Sequence, residues 1–388
     1  MESAAEPVRD VKKKILILSS KGGYGHAAAS LSIQEIGKDQ YSFREVFPIE
    51  QINRFGTRSG ENLYNTLIKN NWIRTTNFLS NKLAPLLFQV KQDLVESLMK
   101  EYIQEEKPDL VLSLIPFINY PASEAARKCG IPYLLVTTDN DLTNWVLGLE
   151  KVKHPAFKVS VGIDHALTKG LLRSRGIPEE SIELTGLPVH PAFSEEKNEQ
   201  VIKEEIGIPL NKPVVTIMMG GAGGKGAYAY AKELQKVNFP LHVVICTGNN
   251  SILYQKMQDL AKLEGDVSFS VLKFMNKVAD LMQVSDLLIT KPGPGTINEA
   301  MQRKLPILVD NTNSTLSWER TNLDFVKRTG LGQVLDSTEE VRKWVPLYLR
   351  DKEVKKEVLK AYERLETPAF DKNIQKLICS LLSSEVCV

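Results

Sequence analysis

Two separate series of short apolar runs constrain the fold of this chain more than any other feature. The first series begins at Lys14–Ser19 and the second at Val214–Met219, and each opening run ends in a glycine-rich turn. Because a segment with helical potential follows each turn, each series opens as strand, tight turn and helix. Apolar runs separated by helical segments are typical of a mostly parallel sheet with helices on both faces. The sequence therefore predicts two doubly wound α/β domains in succession.

The later strands and the domain boundaries follow from the same pattern. A length of 388 residues fits two to three domains at about 150 residues each. Prolines in Gly186–Pro191 and the polar stretch Ser194–Gln200 are typical of a linker. Further strands are predicted at Leu110–Leu114, Tyr133–Val136, Val159–Val161, Leu241–Ile245, Val267–Val271, Leu287–Thr290 and Pro306–Val309. We predict a disordered N-terminus over 1–13, an N-terminal domain over 14–192, a C-terminal domain over 193–366 and a helical tail over 367–388.

Charge and cysteine content exclude some classes of protein. The 49 basic and 47 acidic side chains leave a net charge of +2, which excludes nucleic-acid binding through bulk charge. The four cysteines form no CxxC pair, which disfavours a zinc site and suits a reducing compartment. The sequence shows no secretory signal and no uninterrupted apolar stretch of spanning length, so we expect a cytoplasmic protein whose membrane role, if any, is peripheral.

One segment, residues 61–102, departs from the α/β rhythm. It is predicted to be helical, and it carries apolar side chains such as Trp72 and Phe78 with Lys69, Arg74, Lys82 and Lys91 among them. One interpretation is an amphipathic helix whose apolar side joins the core, and on the residues alone it is the favoured one. The other is a face that lies in a lipid interface.

The first motif that could carry chemistry is Ser20–His26 (SKGGYGH), placed where a strand ends and a helix begins. Gly22, Gly23 and Gly25 let the backbone pass close to a ligand, and the first helical turn attracts an anion. The motif matches neither a P-loop nor a dinucleotide fingerprint. His26 adds a group whose ordinary pKa of about 6.5 suits proton abstraction from a hydroxyl.

Two further loops lie in the second series. Gly220–Gly226 can cradle a diphosphate through backbone amides, or it is only a flexible turn. In Lys291–Ala300 (KPGPGTINEA), prolines stiffen the loop and Thr296 is expected to cap the helix that follows. Glu299 then falls one turn into that helix, where its carboxylate can bind a vicinal diol. The spacing of Thr296 and Glu299 also fits a capping box.

Together with Thr185–Val189 and Trp318–Asn322 (WERTN), these motifs resemble glycosyltransferase family 28. The chain is most similar to its monogalactosyldiacylglycerol synthases and processive diacylglycerol glucosyltransferases, from about Lys14 to Leu347. The resemblance implies a GT-B fold, in which two Rossmann-like domains face a cleft. It also implies inverting transfer of a hexose or N-acetylhexosamine from a UDP-sugar to a lipid hydroxyl at the cytoplasmic membrane face, with no metal and no cofactor.

The resemblance implies roles for individual residues. His26 and Asp139 form the acid–base site, and either could take the proton. Gly22, Gly23 and Gly25 line the N-terminal loop. On the donor side, Glu299 binds the ribose, and Trp318 stands where the family usually has Gln. The other donor-side residues are those of the diphosphate loop, Gly293, Gly295 and Thr296, the opposite loop, Gly221 and Gly223, and two that face the hexose, Glu319 and Asn322.

Several alternatives stay open beside this interpretation. Trp318 prompts a catalytically degenerate nucleotide-sugar-binding protein, and the same fold also serves UDP-N-acetylglucosamine 2-epimerases. Asp139-Asn140-Asp141 has the DxD form that other glycosyltransferases use to hold a metal, but two carboxylates alone make a weak magnesium site, so Asp141 is interpreted as a loop residue. With a lipid acceptor implied, residues 61–102 become the favoured element for docking on a membrane.

Overall fold

The computed structural model describes residues 12–21, 24–54, 72–221, 223–224, 226–262, 265–313, 315–365 and 368–383. Gly22, Gly23, residues 61–71 and the N-terminus up to residue 11 lie outside the described residues. Each half of the chain forms a six-stranded sheet, and the strand orders are β2-β1-β3-β4-β5-β6 and β12-β11-β10-β7-β8-β9. The strand pairings of both sheets are parallel, as the sequence predicts.

Strand bounds lie within one or two residues of the predicted runs. The N-terminal sheet comprises β1 Lys13–Leu18, β2 Tyr41–Val46, β3 Leu110–Ser113, β4 Tyr133–Val136, β5 Phe157–Val161 and β6 Ile182–Leu184. The C-terminal sheet comprises β7 Val214–Met218, β8 Leu241–Cys246, β9 Val267–Leu272, β10 Leu287–Thr290, β11 Ile307–Asp310 and β12 Gly332–Leu335.

Helices connect the strands in both halves. Those of the N-terminal half are Tyr24–Gly37, Pro48–Arg54, Ile73–Phe78, Ala84–Val90, Gln92–Glu106, Asn119–Lys128 and Leu171–Ser174, with a π-helical segment Leu79–Leu83. Those that follow are Glu199–Ile206, Gly226–Leu234, Ser251–Ala261, Val278–Gln283, Pro294–Gln302, Arg320–Thr329, Val341–Arg350, Lys352–Leu365 and Phe370–Leu382. Among the described residues, no helix is both long and apolar enough to cross a bilayer.

The last helix returns to the first domain. Phe370, Ile374 and Leu377 pack in one apolar cluster with Ile15 of β1 and Leu112 of β3. The helix before it, Lys352–Leu365, instead packs on the C-terminal core. The C-terminal tail therefore connects the two domains by packing on the N-terminal sheet.

The strand order locates a ligand crevice in each domain. β1 lies between β2 and β3, and β7 lies between β8 and β10. In each sheet the order in which strands are added therefore reverses at this central strand. Ligands of open parallel sheets bind at such a switch point, outside the carboxyl ends of the strands. The loop after β1 leads to His26, and the loops after β7 and β10 are the two glycine loops of the C-terminal domain. All three motifs thus lie at switch points.

Candidate active site

His26 lies in the first turn of the helix Tyr24–Gly37 and is half-buried. Its Nδ1 is 2.7 Å from the carbonyl oxygen of Leu114, just after β3, and 3.4 Å from the hydroxyl of Thr138. Because a carbonyl can only accept, Nδ1 carries the proton of the neutral ring and Nε2 carries none. Burial lowers the pKa of His26, although the bond to Leu114 opposes this shift. The ring is therefore neutral at pH 7 and can accept a proton.

Asp139 follows β4 and is held by a tryptophan. The indole N–H of Trp145 donates to Oδ2 of Asp139 at 3.1 Å. Burial raises the pKa of Asp139 to about 7, and the bond from Trp145 lowers it. The indole centroid also lies 6.4 Å from that of the His26 ring, with the two planes tilted by 49°. Trp145 is only 1% exposed, so it is a buried neighbour of both His26 and Asp139.

Asp141, the other carboxylate of the DxD sequence, is engaged in its own turn. It accepts hydrogen bonds from the backbone N–H and the hydroxyl of Thr143, at 3.0 and 2.6 Å. This is the loop role that the sequence suggests for it. Within the described ranges, no group of three or more His, Cys, Asp or Glu side chains is arranged to hold a metal ion.

The helix Pro294–Gln302 presents an open N-terminus at the second switch point. Its N-cap is Gly293, and no side chain caps it. Thr296 therefore lies inside the first turn, which corrects the expectation that it caps the helix. Glu299 is then the sixth helical residue, so the capping-box interpretation is also wrong. The uncapped backbone N–H groups attract an anion such as a diphosphate.

Glu299 is a half-buried carboxyl group on the same helix. Burial alone raises its pKa to about 7. No ion pair involves it among the described residues, so its oxygens remain available to accept hydrogen bonds from a ligand. Two hydroxyl donors on adjacent carbons would satisfy both oxygens at once.

The glycine loop after β7 is a tight turn pressed against its neighbour. Gly220 and Gly223 have φ of 80° and 69°, and the N–H of Gly223 donates to the Gly220 carbonyl at 3.0 Å. A Cβ on Gly223 would lie 2.1 Å from the carbonyl oxygen of Thr247. The carbonyl of Gly221 accepts from Asn249 N–H at 3.0 Å. Glycine at 223 is therefore required for packing, whatever the loop binds.

Two other loop glycines are open. An added Cβ at Gly25 or at Gly295 would meet none of the described atoms within 4 Å. One glycine belongs to the N-terminal loop and the other to the diphosphate loop, so the structure leaves space beside both. The role of each in binding stays a prediction.

Lys291 is a residue to which the sequence interpretation gave no role. It follows β10 and lies between the two glycine loops: its Cε is 3.0 Å from the position of a Cβ on Gly220, and its Nζ is 3.5 Å from that on Gly293. Its Nζ also pairs with Oε1 of Glu319 at 2.6 Å. The signal that could have found it is a lysine at the carboxyl end of a strand at the switch point.

The two domains meet at these residues. The negative charge of Glu319 raises the pKa of Asp139 and the positive charge of Lys291 lowers it, so the N-terminal carboxylate lies within electrostatic range of the C-terminal pair. Trp318 precedes Glu319 in the short 3₁₀ turn Ser317–Glu319 and is partly exposed. Asp139 of the N-terminal half and the Lys291–Glu319 pair of the C-terminal half are therefore neighbours across the domain boundary.

Asn322 differs from the role that the resemblance implies. It is fully buried, its Oδ1 accepts from Nδ2 of Asn140 at 2.9 Å, and its Nδ2 donates to the Pro292 carbonyl at 2.8 Å. Both ends of the amide are used in protein contacts, so in this structure Asn322 joins the two domains, and its role toward a hexose stays a prediction. Asn140 is the second residue that sequence reasoning missed, because its partner lies 182 positions away.

Comparison with known families agrees with this geometry. Residues 226–377 match the model of the glycosyltransferase family 28 C-terminal domain. The match contains the open helix, the Lys291–Glu319 pair and Asn322. The resemblance read from the motifs is confirmed for this part of the chain.

Similarity to individual relatives extends beyond residues 226–377 to most of the chain. The chain is 28% identical over 371 residues to monogalactosyldiacylglycerol synthase 1 of Arabidopsis thaliana, which covers 87% of this chain and 64% of that protein. It is 24% identical over 354 residues to the processive diacylglycerol beta-glucosyltransferase of Bacillus subtilis, covering 89% of both. The chain thus spans less than two thirds of the plant relative and most of the bacterial one.

Solved structures confirm the GT-B fold. MurG from Acinetobacter baumannii superposes with a TM-score of 0.57 at 17% identity, covering 95% of this chain and 99% of that one. The calicheamicin glycosyltransferase CalG4 superposes with a TM-score of 0.61 at 16% identity, covering 96% and 98%. In this fold the glycine loops after β7 and β10 belong to the C-terminal half, and His26 and Asp139 belong to the N-terminal half.

Proposed function

We propose that this chain is an inverting glycosyltransferase that moves a hexose or N-acetylhexosamine from a UDP-sugar to the hydroxyl of a diacylglycerol-like lipid at the cytoplasmic membrane face. One observation carries the proposal: two proton-accepting groups, His26 and Asp139, have Trp145 as a common neighbour, and Asp139 lies within electrostatic range of Lys291, which precedes an uncapped helix N-terminus. The names of the relatives support the lipid acceptor and the sugar donor.

In the proposed reaction the acceptor oxygen attacks the anomeric carbon of the donor. His26 or Asp139 takes the proton of the acceptor hydroxyl, a new carbon–oxygen bond forms, and the bond from the anomeric carbon to the β-phosphate oxygen breaks on the opposite face. Configuration is inverted because a single displacement occurs. General-base assistance of this kind is worth about 10²–10⁴-fold in rate.

The leaving UDP gains negative charge, and the C-terminal domain supplies positive potential for it. The N–H groups around Gly295 and Thr296 at the helix N-terminus would donate hydrogen bonds to the diphosphate, with the ammonium of Lys291 nearby. The carboxylate of Glu299 would bind the ribose by accepting hydrogen bonds from the two ribose hydroxyls. Glu319 would keep Lys291 in place through their ion pair.

A transfer assay tests the proposal. Diacylglycerol vesicles are incubated with UDP-glucose, UDP-galactose or UDP-N-acetylglucosamine, and released UDP and glycolipid are measured together. We expect one donor to yield both in equal amounts, and the variant that removes the base, His26→Ala or Asp139→Asn, to lower kcat about 10²–10⁴-fold while UDP affinity stays within threefold. UDP binding with no turnover on any acceptor would instead identify a nucleotide-sugar-binding protein, and sugar epimerised without acceptor would identify an epimerase.

The membrane part of the proposal rests on the segment 72–91. Phe88 stacks on Phe117 of the N-terminal domain, with centroids 5.4 Å apart, which anchors the segment. Between Trp72 and Lys91 the sequence has three basic residues and no acidic one, a charge that suits an anionic lipid surface. Its outward side exposes large apolar side chains, namely Trp72, Phe78, Leu83, Leu86, Leu87 and Val90.

Vesicle flotation tests this docking face. Trp72 and Phe78 are 60% and 63% exposed, so changing both to Ser should leave the fold intact and reduce flotation on vesicles of phosphatidylglycerol and phosphatidylcholine. The matched control changes Leu210 and Ile252, which are 53% and 78% exposed in the other domain, to Ser. Equal flotation of the test and control variants would remove this face from the proposal.

A further inference from the structure

The inner side of the segment 72–91, here called the docking segment, contacts the C-terminal domain. Asn77 and Asn81 are one helical turn apart, so they share a face of the segment. Asn77 donates from Nδ2 to the carbonyl oxygen of Thr315 at 3.3 Å, and its Oδ1 accepts from the backbone N–H of Ser317 at 2.9 Å. A single amide thus holds the backbone on both sides of Leu316.

Asn81 adds a second contact to the C-terminal domain and a link to a loop of its own domain. Its Nδ2 donates to the hydroxyl of Ser317 at 2.9 Å. Its Oδ1 lies 3.4 Å from Nδ2 of Asn144, which belongs to the loop between Asp139 and Trp145. The segment therefore lies where the acid–base loop and the donor side meet.

The residues held by these asparagines lead directly into the donor site. Ser317 begins the 3₁₀ turn that ends at Glu319, and Glu319 fixes Lys291 between the glycine loops. Three polar contacts to Ser317 and one to Thr315, all made by the two asparagine side chains, join the segment to this turn and to the backbone just before it. The opposite side of the same segment carries the exposed apolar residues.

We infer that Asn77 and Asn81 are positioning residues that couple docking on an anionic lipid surface to binding of the nucleotide donor. The inference rests on the proposed function and adds a regulation to its site. Seating the segment on a bilayer orders it, and the two asparagines then order the turn that carries Glu319. Because such coupling is reciprocal, the nucleotide must strengthen vesicle binding by the same factor by which vesicles strengthen nucleotide binding.

The test measures both affinities with the full chain. UDP affinity is measured with and without phosphatidylglycerol–phosphatidylcholine vesicles, and vesicle affinity with and without saturating UDP. We expect the two factors to be equal and about fivefold or more in the wild-type chain. In the Asn77→Ala, Asn81→Ala double variant we expect both factors to fall to about one, with each separate binding retained.

Two controls separate positioning from a general structural role. Thr75→Ala, at an exposed position of the same segment, should keep the wild-type coupling. Asn77→Asp, which keeps the acceptor for the N–H of Ser317, should retain part of it even if the double variant proves less stable.

The outcomes are distinguishable. Independent binding of UDP and vesicles by the wild-type chain, or wild-type coupling in the double variant, would overturn the inference alone. A chain that binds neither UDP nor vesicles would overturn the proposed function and this inference with it.

Discussion

At the residue scale, the cleft holds two carboxyl groups that burial has brought to a pKa of about 7, Asp139 and Glu299. Asp139 has charged neighbours on the facing domain, whereas burial alone accounts for the shift of Glu299. A carboxyl group whose pKa is raised in this way holds a proton near neutral pH. A ligand that binds the carboxylate form must displace this proton. The two groups therefore make different predictions about pH.

Glu299 should make nucleotide binding depend on pH. Ribose hydroxyls bond best to the carboxylate, so a proton competes with UDP and affinity should weaken as pH falls below about 7. Glu299→Gln should weaken UDP binding about 10- to 100-fold at pH 8 and remove the pH dependence, because hydrogen bonds to a charged group are worth about 1.5–3 kcal/mol. Calorimetry at pH 6, 7 and 8 measures this, with the exposed Glu363→Gln as control. Pronounced pH dependence that persists in Glu299→Gln would assign the proton elsewhere.

Trp145 should set the pH at which Asp139 ionises. Its indole N–H stabilises the carboxylate, so Trp145→Phe removes a hydrogen bond that lowers the pKa of Asp139, and that pKa should rise by about half to one unit. If Asp139 is the base, the acidic limb of kcat/KM lies near pH 7 and moves upward in the variant. If His26 is the base, the limb lies below about 6.5 and stays there, since burial lowers the pKa of His26. A downward shift would contradict both assignments.

At the element scale, most of the strands that the sequence predicts are buried on both faces, and the half-buried edge strand β9 is the exception among them. β4 and β10 match the predicted runs Tyr133–Val136 and Leu287–Thr290, and all four residues of each are buried. β2, β6 and β12 were not predicted, and all three are edge strands. In β2 exposed residues alternate with half-buried ones, and β6 has only three residues, so neither forms a continuous apolar run.

The glycine motifs were also predictable, because each follows an apolar strand directly and can be recognised from the local sequence. The pairings across the cleft were not. Asn140 with Asn322, and Asn77 with Ser317, join residues far apart in the chain, and a polar amide has no periodicity to reveal its partner. Lys291 stood inside a recognised motif, but its role depends on Glu319, which only the folded chain brings near.

The C-terminal helix supplies a prediction about stability at this scale. Ile374 is fully buried against the N-terminal sheet, so Ile374→Ala should lower the free energy of unfolding by about 2–5 kcal/mol. Ile252, which is 78% exposed, provides the matched control, and Ile252→Ala should change it by no more than about 0.5 kcal/mol. Urea unfolding measures both variants. Equal effects would mean that the helix does not hold the first domain.

At the scale of the whole molecule, function depends on bringing two switch points together. The last helix crosses back to the first sheet, Asn140 bonds to Asn322, and the docking segment holds Ser317. Each contact joins the N-terminal half, which carries the proton acceptors, to the C-terminal half, which carries the donor loops. In the proposed reaction the N-terminal half supplies the base and the C-terminal half supplies the place for the leaving diphosphate.

A crystal structure of the chain with UDP tests this arrangement most directly. We predict that the ribose hydroxyls bond to Glu299, that the diphosphate lies at the N-terminus of the helix Pro294–Gln302 beside Lys291, and that the β-phosphate points across the cleft toward His26. UDP bound away from this helix, or bound there with its β-phosphate directed to a surface that His26 does not reach, would contradict the account.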